Sequence, residues 1–288
     1  MIIVNAIGNA EIVKEFYETT GVKASYLISY PYLKGQAIKL TKTYRSMIDL
    51  LFLDSGAFSI FKGVSKVNVA EYSLYINRYG EAFDEVFNLD EDFSNPEVNL
   101  RNQQYLVDHL PPGRKRPIPV VHDPKDPFEE VKSYAGLGYE FIAIGSTMKS
   151  KNKLFEQIKK EFPNLKIHLF GDLTRKTLIA HKPYSADSTG YVMAAGQGNI
   201  CYWHPGEQKE YLLYLGERDK EENQIQSKEG GKVFHIKDFK YRKEVEKFLS
   251  DTFNYTYGDL LVPGGKEKQW IVNLYFNKQL EDYINSLP

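Results

Sequence analysis

Leu50-Leu51-Phe52-Leu53-Asp54 and Phe141-Ile142-Ala143-Ile144-Gly145 decide how this chain folds. Each is a run of four apolar residues without alternation, closed by an acidic or a small residue. A strand with one face in water alternates apolar and polar residues, whereas a strand covered on both faces does not. Working outward, eight β-type runs lie at residues 2–5, 25–29, 50–54, 85–89, 117–121, 141–145, 166–170 and 184–187. Helical patterns separate many of them, at 10–19, 69–79, 99–109, 127–137 and 151–162. Strand and helix alternating to a count near eight predict an α/β protein, a (β/α)8 TIM-like barrel.

The pattern changes after Thr189. Residues 195–198 and the pair Gly230-Gly231 are turn signals. Runs at 210–215 and 232–237 are expected to pair as a hairpin around the polar stretch 216–229, read as a solvated loop because of its charges. Helices are expected at 241–253 and 266–287, the second placing Trp270, Leu274, Leu280 and Ile284 on one face. The expectation is one domain, 1–288, with barrel strands within 1–190 and a C-terminal hairpin and helical elaboration over 191–288.

A net charge of −1 argues against a protein held to nucleic acid by bulk charge, though not against a local basic surface. No apolar run reaches the length of a membrane span. Met1-Ile2-Ile3-Val4-Asn5 lacks a basic leader and reads as a first strand. A single cysteine, Cys201, cannot make an intrachain disulfide, so a reducing cytoplasm is the expected setting (a host cytoplasm if the chain is phage-encoded).

In parallel barrels the chemistry sits at the C-terminal ends of the strands. There the chain carries Asp54-Ser55-Gly56, Asp90, His122-Asp123, Gly145-Ser146, Gly171-Asp172 after His168, and Asp187-Ser188-Thr189. Each has an ordinary explanation: an aspartate after a strand caps a helix or makes a turn, and a lone histidine is a satisfied core residue. Their common address on one face is what those explanations do not predict. Loops on that face also hold Lys62, Lys66, Lys149, Lys151, Lys153, Arg175 and Lys176, which together could track phosphates. Arg114-Lys115-Arg116 precedes the fifth strand and belongs on the opposite face.

Asp-Ser-Gly-Ala-Phe-Ser at 54–59 resembles a motif of the tRNA-guanine transglycosylases, and Ser185-Ala186-Asp187-Ser188-Thr189 resembles another. Leu89-Asp90, Pro119-Val120-Val121-His122, Ile142-Ala143-Ile144-Gly145 and His168-Leu169-Phe170-Gly171 fall between them in the order expected of shorter relatives that place 7-deazaguanines in DNA. The resemblance spans about residues 1–200. It implies Asp187 as nucleophile on the sugar and Asp54 as general acid/base. It further implies Asp90, Ser55, Gly56, Phe58, His122, Gly145, Ser146 and His168 around the base, with Tyr191 a second aromatic candidate. Lys62, Lys149, Lys151 and Arg175 would lie along a DNA backbone.

The physical logic is that breaking an N-glycosidic bond builds positive charge, which one carboxylate stabilises while another moves a proton. The tRNA enzymes carry a zinc site of three cysteines and a histidine. Cys201-Tyr202-Trp203-His204 offers one of each, so no zinc or other cofactor is expected. The expected activity is a pentosyltransferase exchanging guanine in DNA for a 7-deazaguanine, with an accessory protein or a homodimer as possible partners. The alternatives are the tRNA-directed enzyme, a barrel nucleoside or glycoside hydrolase, and a non-catalytic nucleic-acid-binding barrel.

Overall fold

The computed structural model describes all residues except 34, 65, 146–150 and 217–231. The chain forms two compact units: Met1–Ala10 with Lys23–Ser188, and Glu11–Val22 with Thr189–Pro288.

The first unit holds one eight-stranded sheet. Its strands are β1 (Ile2–Ile7), β2 (Ala24–Ser29), β3 (Ile48–Asp54), β4 (Glu85–Val86), β5 (Val120–Val121), β6 (Phe141–Ile144), β7 (Lys166–Leu169) and β8 (Ser185–Ser188). Their spatial order is β4-β3-β2-β1-β8-β7-β6-β5, and all neighbours are parallel. The two outer strands meet as well. Phe87 and Ile118 form a parallel bridge, Ile118 N donates to Val86 O at 2.8 Å, and Asn88 N donates to Ile118 O at 2.9 Å. The sheet therefore curls round to its own edge, the TIM-like arrangement expected from the uninterrupted apolar runs. Runs 85–89 and 117–121 are shorter as strands than their composition predicts, because a single bridge does the pairing between them.

The helix that follows β1 in sequence, α1 (Glu11–Thr20), belongs to the second unit. The first unit carries α2 (Ala57–Phe61), α3 (Val69–Tyr79), α4 (Pro96–Asp108), α5 (Pro127–Gly136), α6 (Lys151–Glu161) and α7 (Arg175–His181). Side-chain caps set several of their starts: Asn68 accepts from Ala70 N and Glu71 N, Asn95 from Glu97 N, and Asp126 from Glu129 N. Pro96 at the first turn explains why α4 begins three residues before its expected start, since that position needs no N–H. The interior is filled by Val4, Leu27, Phe52, Phe87, Ile118, Val120 and Ala143, the inward residues of successive strands.

The second unit contains α1, α8 (Gly190–Gly196), β9 (Asn199–His204), β10 (Lys209–Tyr214), β11 (Val233–His235), α9 (Arg242–Phe253) and α10 (Gly265–Ser286). Its hairpin is not the expected pairing of 210–215 with 232–237. β9 and β10 form the antiparallel pair, whereas β10 and β11 run parallel. Pro205-Gly206-Glu207-Gln208 supplies the tight turn, with Gln208 at φ 48°. Asn273 of α10 fastens β9: its Oδ1 accepts from Cys201 N at 2.7 Å, and its Nδ2 donates to Tyr191 O and Asn199 O. No helix among the described residues is long and apolar enough to cross a membrane.

Candidate acid–base site at the barrel mouth

β3 delivers Asp54 to the C-terminal end of the barrel, where Ser29 at the end of β2 lies beside it. Ser29 Oγ donates to Asp54 Oδ2 at 2.7 Å, and Gly56 N donates to the same oxygen at 3.1 Å. The second bond depends on Gly56, whose φ of 85° suits glycine and where a Cβ would collide with the Pro31 ring. Oδ1 takes no hydrogen bond among the described residues. Asp54 is enclosed by protein yet keeps part of its surface open. Burial pushes its carboxyl up to about 7, the charges of Asp90 and then Asp187 add to the rise, and the Ser29 and Gly56 bonds oppose it.

Asp90 follows β4 and is buried. It accepts from Ser55 Oγ at 3.2 Å through Oδ1, and its Oδ2 lies 2.6 Å from His122 Nε2. The carboxyl accepts from the imidazole in the tautomer that carries the proton on Nε2. His122 sits just past β5. Its backbone N–H and that of Asp123 both donate to Glu130 Oε2, at 2.9 and 2.8 Å. Glu130 comes from the first turn of α5, and burial raises its pKa against those two bonds.

Asp187 lies in β8, beside Val4 of β1. Its Oδ1 accepts from Gly171 N at 3.0 Å and lies 3.3 Å from His168 Nε2. His168 is fully buried in the barrel, among the rings of Phe52, Phe87 and Phe170. Its Nδ1 lies 2.8 Å from Ser185 Oγ. Ser185 is itself fully buried, so this hydroxyl orients the imidazole and is closed to a substrate.

Three strand-end aspartates thus share one electrostatic neighbourhood, while two others have the ordinary role. Asp123 accepts from Lys125 N and Asp126 N, and Asp172 from Thr174 N, as turn-closing residues do. His168 orients Asp187 from beneath. Phe58 is 52% exposed, with Lys62 Nζ 5.4 Å from its ring centre. Lys151 bonds Phe170 O at 2.8 Å, and burial lowers its pKa, so it is tied into the loop. Arg175 opens α7. Ser146 and Lys149 lie outside the described residues. Tyr191 is buried in the second unit. Arg114, Lys115 and Arg116 do lie at the opposite strand ends, where Arg114 pairs with Glu81, Lys115 with Glu85, and Arg116 donates to Leu137 O and Gly138 O.

Ser29, Phe93 and Glu130 are absent from the residues the sequence marks, while Gly171 and Ser185 stand there only as parts of motifs, without a role. Ser29 and Ser185 are inward strand positions that bear hydroxyls, a signal visible in the sequence. Glu130 reads as an ordinary helix-starting acid, and nothing local marks it. Among the described residues no group of three or more His, Cys, Asp or Glu could hold a metal ion.

Fold and site together define a (β/α)8-type barrel with buried carboxylate–imidazole pairs at the C-terminal ends of its strands. No family model matches the chain, and no curated protein matches it. Solved structures do match. One is a protein assigned as a fructose-1,6-biphosphate aldolase from Coccidioides immitis, with TM-score 0.46 and 15% identity, covering 67% of this chain and 78% of that one. Another is the fructose-bisphosphate aldolase of Campylobacter jejuni, with TM-score 0.45 and 14% identity, covering 100% of this chain and 91% of that one. These findings correct the expected family and function. The matching structures are aldolases, no transglycosylase family model matches, and the assignment to guanine exchange in DNA is withdrawn together with the base-reading and backbone-tracking roles that depended on it.

Proposed function

We propose that this chain is an acid–base enzyme, which binds a small polar substrate at the barrel mouth and moves a proton through Asp54. The observation that carries the reading is Asp54 itself: a partly open carboxyl at a strand end, with one oxygen doubly bonded, the other without a described partner, and a pKa of about 7. At neutral pH such a group is about half protonated, so it can both give and take a proton. Ordinary surface aspartates do neither at that pH.

The neighbours support the same role. Gly171 N–H donates to Asp187 and His168 Nε2 faces it, so the Asp187 carboxyl is held in one orientation beside the substrate. The Asp90–His122 pair places a second carboxylate near Asp54, which favours retention of the Asp54 proton. Concentrated negative charge suits a reaction in which the substrate gains positive charge or hands over a proton.

The test is a panel of small hydroxy- and oxo-acids, sugars and sugar phosphates incubated with the full chain in D2O and followed by proton NMR. That measurement registers both new products and exchange of carbon-bound protons. The wild type is expected to act on one class of compound, with a rate limb near pH 7, and Asp54→Asn is expected to lose at least 100-fold, the usual size of general acid–base catalysis (about 10²–10⁴). Undiminished turnover by Asp54→Asn, or no reaction from the wild type across the panel, would overturn the proposal.

A further inference from the structure

His122 is held more tightly than one hydrogen bond requires. Its ring lies flat on Phe93, with centroids 4.1 Å apart and planes at 15°. Phe93 is covered in turn by Phe61, at 5.0 Å and 25°. Phe61 is 57% exposed, so a column of three rings runs from the surface down to the buried imidazole. On another side the ring meets the backbone of Gly145, where an added Cβ would overlap ring atoms Cε1 and Nδ1. The main chain of His122 is pinned separately by Glu130. Nδ1 is buried and has no hydrogen-bond partner among the described residues.

An imidazole on a flexible torsion has a broad, roughly two-fold choice of plane. The bond from Nε2 to Asp90 fixes one atom and leaves the ring free to tilt about it. A face-on aromatic neighbour removes that tilt, and a glycine lets the ring sit low enough to reach the carboxylate. Any side chain at 145 would lift the ring away from Asp90.

We infer that Phe93 and Gly145 are positioning residues, which together form a slot that holds His122 in one orientation and one tautomer against Asp90. The slot's value to catalysis rests on the acid–base reading above, but its existence does not. Phe93 acts through His122 and is not itself a catalytic residue. The sequence places it between two polar residues in a loop, Asp92 and Ser94 making a turn around it through Asp92 Oδ1. That turn, not a helix or strand, presents the ring to the imidazole.

The experiment is a ring-nitrogen NMR spectrum of the uniformly ¹⁵N-labelled full chain, with His122 assigned by its loss in His122→Gln. In the wild type the His122 ring is expected to show one protonated and one bare nitrogen, with a ring N–H protected from solvent exchange. Phe93→Leu and Gly145→Ala are expected to give an averaged pair of nitrogens and lose the protected N–H, whereas Phe93→Tyr retains both. His168, buried elsewhere in the same barrel, serves as the internal control for folding, and Phe93→Leu carries the test alone if Gly145→Ala does not fold. A His122 signature unchanged in Phe93→Leu overturns the inference. So does an equal loss at His168, because the effect is then on the whole barrel. The experiment uses no substrate, so its failure is distinct from failure of the acid–base reading, which the Asp54 variant decides.

Discussion

Replacing Asp54 by asparagine should change the pH dependence of stability in a predictable way. The carboxyl rises from 3.8 to about 7 on folding. Below pH 3.8 it is protonated in both states, and stability does not change with pH through this group. Between 3.8 and 7 the folded protein keeps a proton that the unfolded chain has released, so stability falls as pH rises. The contribution is present in full below the unfolded pKa and is lost once the pH has passed the folded one. The interval spans about three decades of proton activity, at ~1.36 kcal/mol each, for a total of about 4 kcal/mol. Partial opening to water at the mouth makes that an upper value. Asparagine has nearly the same shape, and its oxygen can still accept from Ser29 and Gly56, so its own pH-independent cost is small beside this term. Relief of Asp90 and Asp187 is already contained in that figure, because their charges are among the causes of the raised pKa. Urea unfolding of both proteins between pH 4 and pH 8 gives the readout. The stability of Asp54→Asn relative to wild type should climb by about 2–4 kcal/mol over that range. A difference that stays flat to within about 0.5 kcal/mol would refute the raised carboxyl, and with it the proton-carrying role.

Four further outcomes are expected. Asp90→Ala leaves the buried His122 Nε2 and Ser55 Oγ without their acceptor and should destabilise by about 1–3 kcal/mol in denaturant unfolding at pH 7, whereas a loss below about 0.5 kcal/mol would mean the pair is unimportant. Glu130→Leu strips the acceptor from His122 N and Asp123 N and should cost about 2–5 kcal/mol, while Glu130→Gln keeps an acceptor and should cost less as pH rises, because the raised Glu130 pKa makes the wild type lose stability through that range. Asn273→Leu orphans Cys201 N and takes one donor each from the carbonyls of Tyr191 and Asn199, so thermal unfolding should show a loss of about 1–3 kcal/mol, and a near-neutral effect would contradict its place as the clasp of β9. Burial pushes the Cys201 thiol up to about 12, so a thiol reagent at pH 8 should label it only after unfolding; labelling of the folded protein within minutes would show the thiol to be accessible.

The barrel was readable because its evidence is local. A run such as Leu50-Leu51-Phe52-Leu53 needs cover on both faces whatever else the chain contains, and α3 ends within the limits its cap and periodicity define. The second unit was less readable because its pairings are set by distant contacts. β10 pairs antiparallel with β9 and parallel with β11, and β9 is fastened by Asn273, 72 residues from the Cys201 N–H it accepts, a separation no period in the sequence carries. The site divides the same way. Strand-end aspartates can be listed from the sequence, but Asp54, Asp90 and Asp187 differ from Asp123 and Asp172 only in what surrounds them. The turn aspartates meet nearby backbone N–H groups, while the other three meet side chains or loop amides brought from elsewhere. Family resemblance failed on similar ground, because it weighed the residue types at the strand ends and those types recur wherever a barrel mouth is polar.

The two carboxylate–imidazole pairs are built for different ends, and the difference follows from their supports. His168 faces a hydroxyl at Nδ1 and a carboxylate at Nε2, inside a cage of three phenylalanines. With both nitrogens engaged in apolar surroundings it has no remaining site for a substrate, so its effect is confined to orienting Asp187. His122 is engaged at Nε2 alone, and its other nitrogen meets no described partner. Its ring is aligned by stacking and by the absence of a side chain at 145, devices that restrain orientation without occupying the nitrogen. Ring stacking and the bare Cα of Gly145 therefore fix the plane of His122, whereas hydrogen-bond partners at both nitrogens fix that of His168.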